Sequence, residues 1–195
     1  CYIFIYKYFM QKIIITEEQY SRIFLNESTD NRLNVNSLGA SQDFWDWLRY
    51  HEGNPKEKGE PMTNSYKDSV GVWTIGYGHT GEDVHNGLTI TKEKADNLFN
   101  KDVNESAGCV KRFLKEWEKE GVKGKNLKQN EYESLISLVF NSGCKAVRTS
   151  DFIQKVKYGE YGDAAEMIKK YRSDGLENRR KTEYELFKNG TYVKI

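Results

Sequence analysis

Residues 71–80 read GVWTIGYGHT, and this stretch constrains the fold of the chain more than any other. Val72, Trp73, Ile75 and Tyr77 suit a strand, yet three glycines interrupt it and Thr74 sits at its centre. Glycine weakens a strand interior and marks close approach of a ligand or another backbone. In a strand, residues 72, 74, 76 and 78 share one face, and Trp73, Ile75 and Tyr77 share the other. Thr74 is therefore expected beside a bare shelf made by Gly76 and Gly78, where its hydroxyl can hold a water or a substrate hydroxyl.

The β-rich region around this stretch covers about 65–90, and the patterns on either side are helical. Ser41 leads into QDFWDWLRYHEG, with Phe44, Trp47, Leu48 and His51 at helical spacing and Gly53 as a stop. Pro55 and Pro61 fall in the polar segment that follows, read as a loop. Thr91 caps the next helix, with Ile90 and Ala95 as a hydrophobic staple and Leu98, Phe99 and Val103 facing inward. Val110, Phe113, Leu114 and Trp117 continue that pattern. Tyr132 to Phe140, ended by Gly143, gives another helix; Ala164 to Tyr171 and Arg179 to Phe187 give two more. The outline is α+β: one helix, a small sheet, then a helical bundle.

At 195 residues the chain holds one main domain, read as 41–195, preceded by an extension over 1–40. In that extension Thr16-Glu17-Glu18-Gln19 fits a capping box for a short helix at about 17–26, and NESTDNRLNVNSLGAS reads as a linker. The opening CYIFIYKYFMQKIII is broken by Lys7, Gln11 and Lys12, too early for the ~18 apolar residues that a membrane span needs. It also lacks the pattern of a cleavable signal, so residues 1–9 are read as upstream of a start at Met10, with an uncleaved membrane tether as the alternative. Thirty basic residues nearly cancel twenty-nine acidic ones, which argues against a nucleic-acid partner. Cys1, Cys109 and Cys144 show no CxxC spacing. They are read as free buried thiols of a reducing compartment, with a Cys109–Cys144 bridge as the alternative.

Glu52 ends the first helix, where the helix dipole disfavours a further negative charge. Burial by Trp45, Trp47 or Trp73 would push the same way, favouring the neutral form that a general acid needs. Asp68 lies in SYKDSVG at the turn entering the glycine-punctuated strand; turn aspartates commonly bond their own backbone.

The order Glu52, Asp68, Thr74 around a GYGH strand resembles the phage-type lysozymes, glycoside hydrolase family 24. HEG, YKDSVGVWTIGYGHT, TITKEKADNLF, QNEYESLISLVFNSG and GLENRRKTEYELF look like that family's successive blocks, in its order, over about 43–195. The resemblance implies a lysozyme-like fold, with a small N-terminal β-sheet lobe, a larger C-terminal helical lobe and a cleft between them. It implies a muramidase hydrolysing the β-1,4 bond between N-acetylmuramic acid and N-acetylglucosamine in bacterial peptidoglycan. Glu52 matches the proton donor, and Asp68 and Thr74 match the residues that position or activate the attacking water. Gly76, Gly78, Thr80, Phe140, Asn141 and Ser150 fall where the family lines its saccharide cleft. His79 matches a mostly structural histidine, and Arg179 an arginine that approaches the catalytic glutamate. No cofactor and no metal are implied. The enzyme is expected to act as a monomer without membrane insertion. It would be made in a host cytoplasm and reach the wall after release by a separate, holin-like protein. A non-catalytic wall-binding or virion structural module with the same fold is the alternative.

Two local features depart from the resemblance or compete with it. Fifteen residues, GNPKEKGEPMTNSYK, separate Glu52 from Asp68, more than the family's short hairpin spacing. They read as an enlarged loop at the cleft mouth, with Glu57 and Glu60 as competing acids. His79, Glu82, Asp83 and His85 cluster within seven residues, but in a loop without the helical spacing of a zinc motif.

Overall fold

The Ser41 hydroxyl accepts a hydrogen bond from the Phe44 amide at 3.2 Å and so begins α1 (Gln42–Glu52). The computed structural model describes residues 31–195; the expected start at Met10, the helix at 17–26 and the first part of the linker lie outside the described residues. Residues 32–195 form one unit, which includes a segment read on sequence as linker. Leu33 and Leu127 exchange backbone hydrogen bonds of 2.7 and 3.2 Å, and Val35 and Leu38 are buried. Asn34 accepts from the amides of Asn36 and Ser37, so a polar turn carries these apolar residues onto the core.

The sheet has three antiparallel strands in the order β1 (Met62–Lys67), β2 (Trp73–Gly76) and β3 (His79–Thr80). β1 starts directly after Pro61, earlier than the expected 65, so the irregular loop after Glu52 is confined to 53–61. Tyr66 pairs with Thr74, and Thr74 with Thr80. Strand alternation ends sooner than the sequence reading supposed. Gly76 and Gly78 have φ of +68° and +88°, so Gly76-Tyr77-Gly78 turns between paired Ile75 and His79.

The helical lobe is built on α2 (Lys92–Glu120), α3 (Gln129–Ser142) and α7 (Glu177–Asn189). Thr91 caps α2 through its hydroxyl to the Lys94 amide at 3.1 Å. α2 buries Ala95, Phe99, Val103, Val110, Phe113, Leu114 and Trp117 along one continuous face. α3 packs against both α2 and α7, burying Tyr132, Leu135, Ile136 and Leu138. Between α3 and α7 lie three short helices, α4 (Cys144–Arg148), α5 (Asp151–Tyr158) and α6 (Tyr161–Ile168). α4 escapes a sequence reading because five residues hold too little periodicity, whereas α5 is a helix the sequence reading omits although Phe152, Ile153 and Val156 stand at helical spacing. No helix among the described residues is long and apolar enough to cross a membrane.

The cysteine expectation is corrected. Cys109 of α2 and Cys144 at the start of α4 form a disulfide, with Cα atoms 6.0 Å apart. Packing of α2 against α3 closes the thirty-five-residue separation, so the bridge given as the alternative is the one that forms.

Candidate active site

Glu52 is held by what lies beneath α1. Trp47, fully buried one turn earlier, donates from Nε1 to the Val193 carbonyl at 2.8 Å. The ring Nε2 of His51 lies 3.1 Å from the same oxygen. Burial, and then Arg179, push the His51 pKa down to about 4. The C-terminal segment thus ties down the end of the helix from which Glu52 projects.

Arg179, in the first turn of α7, brings Nη2 to 2.6 Å from Glu52 Oε1. Its Nε donates to Glu183 Oε1 at 3.0 Å and its Nη2 to Ser137 Oγ at 3.0 Å. Burial works against the arginine's charge, but Glu52 and then Glu183 more than offset it and raise its pKa. Sequence reasoning placed Glu52 under the helix dipole and nearby tryptophans, and the resemblance implied an approaching arginine; the structure has Arg179 there, buried between Glu52 and Glu183. On the other side, a Cβ at Gly78 would lie 3.7 Å from Glu52 Oε2. The β2–β3 turn therefore passes beside the carboxyl group, and the missing side chain keeps that approach open.

Asp68 Oδ1 accepts from the amides of Val70 at 3.0 Å and Val72 at 2.8 Å, which fixes the β1–β2 turn. Both bonds use one oxygen, leaving Oδ2 outside them. Thr74 is buried, and its hydroxyl donates to the Val72 carbonyl at 3.2 Å. The Asp68 amide donates to that same carbonyl at 3.0 Å, so Asp68 and Thr74 are tied to one backbone oxygen. Thr74 does not stand over the bare shelf expected of it. Gly76 instead faces α2, where an added Cβ would lie 3.5 Å from that of Ala95.

Sequence reasoning missed Tyr66. It pairs with Thr74 and lies two residues before Asp68, so the three share a side of the hairpin. Burial, then Glu52, then Asp68 raise the Tyr66 pKa. The alternation Tyr66-x-Asp68 was the available signal.

The remaining residues divide. Thr80 is exposed on β3 opposite Thr74. Phe140 is half-buried with its ring 5.8 Å from that of Phe99, and exposed Asn141 accepts from Arg180 at 2.5 Å. Ser150 is buried and spends its hydroxyl on the Val147 carbonyl at 2.7 Å. His79 Nδ1 meets Asp102 at 2.8 Å, joining the sheet to α2, and its Nε2 lies 3.4 Å from Asp83. His85 turns its Nδ1 to the Asn86 carbonyl. Among the described residues, no group of three or more His, Cys, Asp or Glu is placed to hold an ion. Glu60 pairs with Lys92 at 2.5 Å.

A comparison with known proteins gives this arrangement its context. The phage lysozyme family profile matches residues 58–183, which includes Asp68, Thr74 and Arg179 and begins six residues after Glu52. A SAR-endolysin of Enterobacteria phage P21 is 33% identical over 127 residues, 62% of this chain and 72% of that protein. An endolysin of Salmonella phage P22 is 32% identical over 141 residues, 68% of this chain and 90% of that one. Among solved structures, the endolysin from Escherichia coli O157:H7 phage FAHEc1 superposes with a TM-score of 0.66 at 27% identity, covering 81% of this chain and 98% of that one. With a small sheet, a helical lobe and a carboxylate at the end of the first helix, and with the profile spanning most of its length, this chain belongs to the phage lysozyme family, glycoside hydrolases that act as muramidases.

Proposed function

We propose that the chain cleaves the β-1,4 bond between N-acetylmuramic acid and N-acetylglucosamine with inversion, Glu52 acting as proton donor. Asp68, assisted by Thr74, holds the attacking water on the opposite face of the sugar. Inversion requires room for that water, with the carboxyl groups ~6.5–9.5 Å apart. The observation that carries the reading is the grouping of Glu52 beside Arg179 and the open side of Gly78 with Asp68 and Thr74, which are bound to one backbone oxygen. The tie of Asp68 and Thr74 to the Val72 carbonyl keeps the water-side pair together. Gly78 beside Glu52 gives the sugar a close approach to the acid. Thr80, Phe140 and Asn141 extend the saccharide surface; Ser150 and Gly76 support it from within rather than touching the glycan.

The chain works as a monomer on the wall of a bacterial host, after release from the cytoplasm by a separate membrane-permeabilising protein. The Cys109–Cys144 disulfide supports action outside the reducing cytoplasm. Mass spectrometry of a purified peptidoglycan digest tests the assignment, with wild type and Glu52→Gln compared and the product anomer followed by NMR. Reducing-end N-acetylmuramic acid formed with inverted configuration, and its absence with Glu52→Gln, is the expected result. A retained anomer overturns inversion, and anhydro-muramyl ends replace hydrolysis by transglycosylation.

A further inference from the structure

Glu183 is fully buried one turn along α7 from Arg179. Its Oε1 accepts from Arg179 Nε at 3.0 Å and from Ser137 Oγ at 2.7 Å, and its Oε2 accepts from Arg180 Nη1. Arg180, also buried, donates to the Tyr171 carbonyl at 2.6 Å and to Asn141 Oδ1 at 2.5 Å. A buried carboxylate is costly unless it is paired and its lone pairs are satisfied. Here two arginines and a serine meet that requirement.

The arrangement has a direction. Arg179 Nε is fixed on Glu183, and Nη2 is fixed on Ser137 Oγ at 3.0 Å. A guanidinium is planar, so holding Nε and one terminal nitrogen fixes the whole plane. That same Nη2 lies 2.6 Å from Glu52 Oε1. Around this centre also stand Arg180 on Glu183 and the Trp47 ring, 5.8 Å from the Arg179 guanidinium carbon. His51 from α1, which also feels Lys58 of the following loop, faces it too, with Tyr66 and Asp68 on the side of Glu52. None of these holds the arginine through Nε.

We propose that Glu183 is a positioning residue for the reaction: by fixing the Arg179 guanidinium from behind, it fixes the direction in which the Glu52 carboxyl group points. This rests on the reading of Glu52 as proton donor. Displacing a catalytic group by about 1 Å lowers turnover by up to ~100-fold. Glu183 is thus a part of the catalytic apparatus that touches neither substrate nor Glu52.

The test measures kcat, KM and the pH dependence of kcat on soluble glycan chains. The variants are Glu183→Gln, Glu183→Asp, Ser137→Ala and Glu52→Gln, each with its folded fraction measured by circular dichroism. Glu183→Gln is expected to lower kcat by about tenfold or more per folded molecule, with KM changed by less than about twofold. The alkaline limb of its kcat profile moves to lower pH, because the Arg179 charge then bears on one carboxylate fewer. Glu183→Asp restores part of the loss. Ser137→Ala leaves every ionisable group in place but frees Arg179 Nη2 and Glu183 Oε1 from their shared hydroxyl, and it lowers kcat about threefold. It carries the test if Glu183→Gln does not fold. Wild-type kcat and an unmoved alkaline limb in the folded variants overturn the proposal, as does a loss confined to KM or to the folded fraction. Turnover that persists in Glu52→Gln overturns the proton-donor reading itself. An inactive Glu52→Gln beside a fully active Glu183→Gln overturns only the role of Glu183.

Discussion

Arg179 Nη2 and Glu52 Oε1 approach to 2.6 Å, and the two residues come from the start of α7 and the end of α1. One ion pair thus joins the first helix of the domain to the last. The side chains are 10% and 16% exposed, so solvent screens the pair far less than it would a surface bridge.

Arg179→Met is expected to lower stability by about 3–5 kcal/mol, because it leaves Glu52 and the buried Glu183 facing each other without the cation between them. Activity falls with it. Arg179→Lys recovers part of the stability but less of the activity, since an ammonium cannot reproduce the planar fork that reaches Glu52, Ser137 and Glu183 together. Urea unfolding of the three proteins, each paired with a lysis assay, checks both statements. Equal activity of the lysine variant and wild type would show that charge alone matters.

Reduction of the Cys109–Cys144 bridge is expected to lower stability by about 3–4 kcal/mol, the chain-entropy value for closing a loop of this length. For a domain of this size that is a Tm shift on the order of 10 °C. Thermal melts with and without reductant measure it, and Cys109→Ala/Cys144→Ala gives the same shift without reductant. An unchanged Tm would mean that the bridge constrains little in the unfolded chain.

The α+β outline was legible because its strongest signals are local. Ser41 and Thr91 are capping residues with apolar faces behind them, and both begin helices as read. Glu52 and Asp68 could be singled out because glycines and a turn sit beside them in the chain. What escaped depends on distant chain segments. Val35 and Leu38 are hidden in a polar run and become core only because Leu127 offers a backbone partner. The disulfide needs α2 and α3 to pack before the thiols can meet. Glu183 looks like one more charge in ENRRKTEYE until Arg179 and Arg180 close on it, although the spacings of four and three residues already put it on their face of the helix. The shelf expected beside Thr74 failed for another reason. Period-two alternation holds only while the backbone stays extended, and Gly76 leaves that conformation.

His51 gives a pH dependence with a definite sign. Burial, then Arg179, lower its pKa from 6.5 to about 4 in the folded protein. The unfolded chain therefore binds a proton between these values while the folded one does not. The stabilising contribution is whole above pH 6.5 and is lost as the pH falls toward 4. His51→Gln keeps a donor for the Val193 carbonyl but does not titrate, so its urea midpoint should fall less than that of wild type between pH 7 and pH 4. Parallel curves would remove His51 from the account.

The two glycines of the β2–β3 turn are expected to separate stability from activity. Gly76 and Gly78 both have positive φ, so alanine at either costs about 1–2 kcal/mol through backbone strain alone. The added Cβ meets different neighbours. At Gly76 it lies 3.5 Å from Ala95 Cβ on α2, an ordinary contact inside the protein. At Gly78 it lies 3.7 Å from Oε2 of Glu52, the residue proposed as proton donor. Gly76→Ala should then lose stability while keeping most of its turnover per folded molecule. Gly78→Ala should lose a similar amount of stability and at least about tenfold in turnover, because the methyl group occupies space beside the proposed proton donor. Chemical denaturation with rates normalised to folded protein distinguishes the two. If both variants lose turnover equally, the turn as a whole governs the geometry of Glu52, and the gap at Gly78 has no role of its own.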